Sequence, residues 1–225
     1  MARPKIICVA GRTCAGKDTL TSRAILNANI ELSEGKYDYP FKQVVSYTTR
    51  PKRESEKDGR EHFFVTEDEY YEIRDDHIIT ETTIGDYHYW TTTDQLMDDI
   101  NNGIILVYII DPIGITNLLS GIVTHRLGND FSEEDIYTIY ITADPEERLT
   151  RFINRQYKGI VSSKAIKEFK TRSMNENDQF DDFETCHLDE IDLLINTTKK
   201  ENFVINHTIM TSALINLYKK DISGD

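Results

Sequence analysis

The chain has 225 residues, 39% hydrophobic and 29% charged, with 39 acidic residues against 26 basic ones and a net charge of −13. That length can bury a substantial core as one large domain, and the mixture is ordinary for a globular protein. So acidic a body excludes general nucleic-acid binding, so any anion site must be a local basic pocket. Cys8, Cys14 and Cys186 lack metal-ligand spacing and suggest no disulfide framework, which points to a reducing compartment. No signal-peptide pattern or membrane-length apolar run is evident, and the expected location is cytoplasmic.

In chain order, Lys5–Ala10 is a short apolar run suited to a buried parallel strand. It breaks at Gly11-Arg12-Thr13-Cys14-Ala15-Gly16-Lys17-Asp18-Thr19, after which Leu20, Ala24 and Ala28 recur at helical spacing until the pattern fades near Asn27. Two glycines bracketing four residues, with a lysine following, have the spacing of a phosphate-binding P-loop. There the glycines let successive N–H groups turn inward, the helix adds its positive end, and Lys17 adds a mobile charge. Asp18 stands where the pattern has a Mg²⁺-ligating hydroxyl; a carboxylate can hold the metal directly or through water.

A polar loop through Pro40 precedes a second strand at Gln43–Tyr47. Thr48–Arg60 is charged and irregular, His62–Val65 reads as a strand, and Thr66–Glu69 is a capping box opening a helix through about Arg74. Ile78–Trp90 reads as two antiparallel strands turning at Gly85-Asp86, making Thr48–Thr91 a mostly β insertion or an antiparallel edge of the main sheet. A second capping box, Thr92–Gln95, opens a helix ended by Gly103, and Ile104–Ile110 is the strongest buried-strand run. Ile113–Gly121 reads as a helix, Ile136–Ile141 as a strand, and Asp144-Pro145 as the cap and first position of a helix. Ile191–Ile195 is a last strand and Thr208–Lys219 a last helix; the alternation gives an α/β fold on a parallel sheet.

Two further groups carry chemistry. Arg50 and Arg53, around the stiff Pro51, form either a platform for a dianionic phosphate or a solvated charged loop. Arg148, Arg151 and Arg155 recur at i, i+3, i+7 on one helix face, opposite Leu149, Phe152 and Ile153.

Taken together, Gly11–Leu20, Val45-Ser46-Tyr47-Thr48-Thr49-Arg50-Pro51-Lys52-Arg53, Asp58-Gly59-x-x-His62-x-Phe64-Val65, the Gly85-Asp86-Tyr87-His88-Tyr89 turn and Leu194-Ile195-Asn196 resemble guanylate kinase and its relatives over about residues 5–200. The resemblance implies a P-loop NTPase three-layer fold with a five-stranded parallel core sheet. The core would be about 1–47, 92–155 and 175–225, the acceptor-binding insertion 48–91, and the lid 156–174 with Gly159 and a further charge from Arg172. It implies ATP at Gly11–Thr19, with Asn196 near the adenine, and the acceptor phosphate at Ser46, Arg50, Arg53 and His62, where the family carries a tyrosine. Glu81, Tyr89 and Thr91 would meet the base, since a guanine edge presents donors that one carboxylate can accept. Asp111 would lie near the acceptor and Mg²⁺, with Asp18 the other metal residue and Ile109 in place of a second family aspartate; Arg151 and Arg155 would close over the transferring group. The implied reaction is ATP plus (d)GMP to ADP plus (d)GDP by a monomer or homodimer. Asp18 and His62 also look like ribose 1,5-bisphosphate phosphokinase, and a non-catalytic guanylate-kinase-like scaffold domain is the reading from another class.

Overall fold

A computed structural model describes residues 3–33, 39–54, 56–73, 77–129 and 131–220. The chain opens with strand β1 (Ile6–Ala10) and helix α1 (Lys17–Leu32). The chain then runs through β2 (Phe41–Gln43) and into the insertion, with β3 (Tyr47–Thr48), β4 (Phe63–Phe64), α2 (Glu67–Ile73), β5 (Ile78–Ile84) and β6 (Tyr87–Thr92). There follow α3 (Thr93–Asn101), β7 (Ile105–Ile109), α4 (Pro112–Val123), β8 (Ile136–Thr142) and α5 (Pro145–Tyr157). The chain ends with α6 (Ser163–Cys186), β9 (Leu193–Asn196) and α7 (Phe203–Lys219).

Strands β2-β7-β1-β8-β9, in that order, form a five-stranded sheet whose pairs are all parallel. Because side chains alternate across a strand, Ile7 and Val9 face α1 and α7, packing with Leu20, Ala24, Met210 and Leu214. Ile6, Cys8 and Ala10 face the opposite layer, which holds Leu96 of α3, Leu118 and Ile122 of α4, and Phe180 and Phe183 of α6. The result is the expected three-layer α/β architecture. A third cluster, Phe152 and Ile153 against Ala165 and Phe169, joins α5 to α6 and reaches Cys14.

The insertion is a sheet of its own, ordered β4-β3-β6-β5, and not an edge of the main one. The Gln43–Tyr47 run does not form one strand: its start belongs to β2 in the core and its end to β3 in the insertion. The chain changes sheets between them, at Val44, whose amide still donates to Val107. Helix α1 continues past Asn27 to Leu32, since Asn29 in its last turn exchanges two hydrogen bonds with the backbone of Phe41 and so ties the helix to β2. The polar loop before Pro40 falls partly on 34–38, and the expected helix end at Arg74 on 74–76, outside the described residues.

Thr66 and Glu69 make the reciprocal capping box, but at the next helix only Thr92 caps, while Gln95 turns its amide to the Val45 carbonyl. Asp144 sits at the cap position of α5 with Pro145 following, yet its side chain makes no capping bond. Gly103 takes φ 77° just beyond α3 and stops it as expected. Insertion and core meet where α4 crosses β5, at Gly121: a Cβ there would lie 2.2 Å from Ile79 Cδ1, so any larger residue must push the end of that side chain aside.

Leu118, fully buried beneath the sheet, has no room to relax. Leu118→Ala should cost about 3 kcal/mol by urea denaturation, within the usual range for a buried leucine.

Candidate active site

The loop between β1 and α1 is shaped by what surrounds it. Gly11 has φ 148°, and a Cβ would fall 2.1 Å from the Ile141 carbonyl oxygen of the neighbouring strand, so no side chain fits. Gly16, at φ 102°, caps α1 with no side-chain acceptor, leaving that helix's first amides to whatever binds there. Lys17 folds back over the loop, donating to the Gly11 carbonyl and, at 3.2 Å, to that of Arg12. Burial presses its pKa below the ordinary value, partly offset by Asp18 and Glu176.

Both lid-flanking helices grip this loop. Arg151 of α5 donates to the carbonyls of Cys14 (3.3 Å) and Ala15 (3.0 Å) and to Thr197 (2.9 Å). Arg12 is held by α6, through Glu184 (2.9 and 2.7 Å), Asn177 (3.0 Å) and Asp181 (2.5 Å), and lies over the Phe180 ring. The guanidinium groups of Arg12 and Arg151 therefore brace the loop, Arg12 from its bonds to α6 and Arg151 from its bonds to the loop carbonyls. Arg148 does not share an open face with Arg155: it is buried, its guanidinium over Phe169, whereas Arg155 is exposed. The helical spacing was right; the face packs against α6 and the loop.

A cavity of about 180 Å³ joins the loop to the insertion. It is lined by Gly11, Thr13 and Lys17 on one side and by Ser46, His62, Tyr89 and Asp111 on the other. His62 Nδ1 lies 2.9 Å from Ser46 Oγ; burial, then the nearby Arg50, lowers its pKa. Asp18 is exposed at the head of α1 with Thr19, and its charge raises the pKa values of both His62 and Lys17. Asp111 caps α4, accepting from Gly114 N (2.9 Å) and Thr82 Oγ1 (3.0 Å), and burial pushes its carboxyl up.

Arg50 and Arg53 lie in the loop beside the cavity but do not line it. Glu56 pins them: Arg50 makes a two-bond fork to its carboxylate (3.0 Å each), and Arg53 donates from its backbone (2.8 Å) and its guanidinium (3.1 Å). Burial would raise the Glu56 carboxyl, but the Arg50 hydrogen bonds and the Arg53 amide outweigh it and bring it to about 2. Burial, then Arg50, lowers the pKa of Arg53, and the charges of Arg155 and Arg172 add to this.

Three of the expected contacts do not face the cavity. Strand alternation sends Thr80, Thr82 and Ile84 of β5 into it and Glu81 to the other face of the sheet. There Glu81 accepts from the Tyr70 hydroxyl and lies 3.5 Å from His88. Thr91 stands one layer back, bonded to Thr80 (2.8 Å) and Tyr108 (3.3 Å). Asn196 is exposed and accepts from Thr198 N (2.9 Å), leaving Asn206, Phe203 and Thr197 to line a second cavity of about 220 Å³ beside Gly16. Sequence reasoning missed Thr80, Thr82, Thr197, Glu56 and Glu176, none of which belongs to a motif.

The family profile described as guanylate kinase matches residues 3–192. The chain is similar to guanylate kinase of Ehrlichia ruminantium (strain Gardel), 32% identical over 127 residues, covering 55% of this chain and 56% of that protein. It is also similar to guanylate kinase of Campylobacter jejuni (strain RM1221), 24% identical over 201 residues, covering 88% and 83%. The crystal structure of guanylate kinase from Anaplasma phagocytophilum shares the fold at TM-score 0.58 and 18% identity, covering 95% of this chain and 88% of that one.

The lowered Glu56 value carries a test. Ionised Glu56 stabilises the fold above its ordinary value of 4.5, and the contribution disappears as pH falls toward about 2. The stability gap between wild type and Glu56→Gln, from urea melts, should be constant above about pH 5 and close below it. From the loop's geometry, the two-sided cavity and the match across most of its length, this chain belongs to the guanylate kinase family.

Proposed function

We propose that the protein transfers the γ-phosphoryl group of ATP to GMP or dGMP, with Mg²⁺, in the manner of a guanylate kinase. One observation carries the reading: Lys17 and the loop amides share a single cavity with Ser46, His62, Tyr89 and Asp111. Phosphoryl transfer needs little covalent help from protein, so two facing anion seats are the machinery it requires. Lys17 exchanges its loop carbonyls for phosphate oxygens. Arg151 keeps the loop in shape, and Arg53, Arg155 and Arg172 present charge across the cleft. His62, whose pKa burial lowers, can donate a hydrogen bond to a phosphate oxygen from this wall.

Asp18 and Asp111 fit Mg²⁺, which takes one or two carboxylates and completes its shell with water and phosphate oxygens. They flank the seat of Lys17, and Asp111 is already oriented by Thr82 and Gly114. When bound, the metal neutralises charge on the β- and γ-phosphates.

A second acceptor class has support in the same cavity. With Glu81 turned away, the cavity offers the hydroxyls of Thr80 and Thr82 from the insertion and that of Tyr108 from the core, with the carboxylate of Asp111 beside them. Such a lining suits a phosphorylated sugar such as ribose 1,5-bisphosphate as well as a purine. An ADP-release assay across GMP, dGMP, the other monophosphates and ribose 1,5-bisphosphate separates the two. GMP or dGMP should give the highest kcat/KM; turnover confined to ribose 1,5-bisphosphate would replace the nucleotide reading.

Lys17→Ala should lose at least about a hundredfold in kcat while its circular dichroism stays that of the wild type, in line with the removal of one preorganised charge. Arg53→Ala should raise the acceptor KM about tenfold or more with little change in the ATP KM; equal effects on both would contradict its placement.

A further inference from the structure

The phosphate loop already holds an anion. Glu176, on the middle of α6, is 8% exposed and points both carboxylate oxygens at the backbone amide of Thr13, at 3.0 and 3.2 Å. It lines the same cavity as Lys17 and raises the lysine's pKa. It is not there by chance of rotamer, because Asn177, Asp181 and Glu184 of the same helix grip Arg12, one residue before Thr13. Inward-facing amides of such a loop are what phosphate oxygens bind, and a carboxylate oxygen has the same charge sign and a similar size.

We propose that Glu176 is an affinity-determining residue for the phosphoryl donor: an internal carboxylate that occupies the phosphate seat and must be expelled before ATP can take the Thr13 amide. The proposal rests on the reading of the loop as the donor's seat. A carboxylate and a polyphosphate compete for the one amide hydrogen, and two like charges at that distance repel each other. ATP therefore binds at the expense of one charge-assisted hydrogen bond. The expelled side chain belongs to the helix that begins at the lid, so donor binding loosens the grip of α6 on the loop and frees that helix to reposition.

Calorimetry with ATP alone and with ATP plus Mg²⁺, in the absence of acceptor, tests this on the full chain. Glu176→Gln and Glu176→Ala should each bind ATP about tenfold or more tightly than wild type, with or without the metal, the size expected for removing one charged competitor. A structural brace would give the opposite sign, and unchanged or weaker binding overturns the proposal. So does a loss confined to ATP with Mg²⁺, which would make Glu176 a metal ligand. In the wild type, independent of any substitution at 176, the ¹³C resonance of the Glu176 carboxyl should move to the position of a solvated glutamate when ATP is added; if it stays put, the proposal fails. Lys17→Ala separates this from the reading beneath it. If wild type and Lys17→Ala bind ATP equally, or neither binds, the phosphate seat itself is wrong; if only Lys17→Ala loses binding while the Glu176 variants show no gain, the seat stands and the competitor does not.

Discussion

Everything at this site depends on holding a short glycine-bracketed loop in one shape, with the Thr13 amide turned toward the anion that meets it. An isolated glycine-rich loop would not hold that shape, because glycine loses more freedom on ordering than any other residue. The chain solves this by using carbonyls outward and amides inward. Arg151 and Thr197 take the outward carbonyls of Cys14 and Ala15, Lys17 takes those of Gly11 and Arg12, and Gly11 is pressed against β8. The loop is thus ordered by charged groups from helices far along the chain, which is why its rigidity is tertiary and not local.

That arrangement also explains which features were legible in the sequence. Gly11, Gly16 and Lys17 could be read directly, since spacing alone dictates a loop of this size, and so could the core strands, whose apolar runs match buried parallel strands. The faces of α5 were less legible. Arg148, Arg151 and Arg155 have the period of a solvated stripe, but a buried guanidinium is affordable where loop carbonyls and an aromatic ring await it, and no periodicity announces those partners. The reach of α1 to Leu32 was hidden for the same reason: the apolar spacing fades near Asn27, and the bonds that Asn29 makes with Phe41 have no sequence signal.

The acceptor side shows how a single pleat decides chemistry. Proximity to Gly85 nominated Glu81, but which way a strand residue points is fixed by pairing, and Glu81 opposite Trp90 belongs to the aromatic face with Tyr70 and His88. The residues that face the cavity are threonines, silent in sequence because threonine is ordinary in any strand. Likewise Arg50 and Arg53 reach no cavity wall themselves. Glu56 between them fixes their spacing, so the pair is presented as a preset fork with half its charge already balanced.

The glycine at 121 has a mechanical meaning for the two sheets. With Ile79 seated where a side chain would be, α4 and β5 interlock like a peg in a socket, and sliding one past the other would drive a methyl group into backbone. The insertion is therefore fastened to the core by the shape of this crossing as well as by the chain that runs into and out of it.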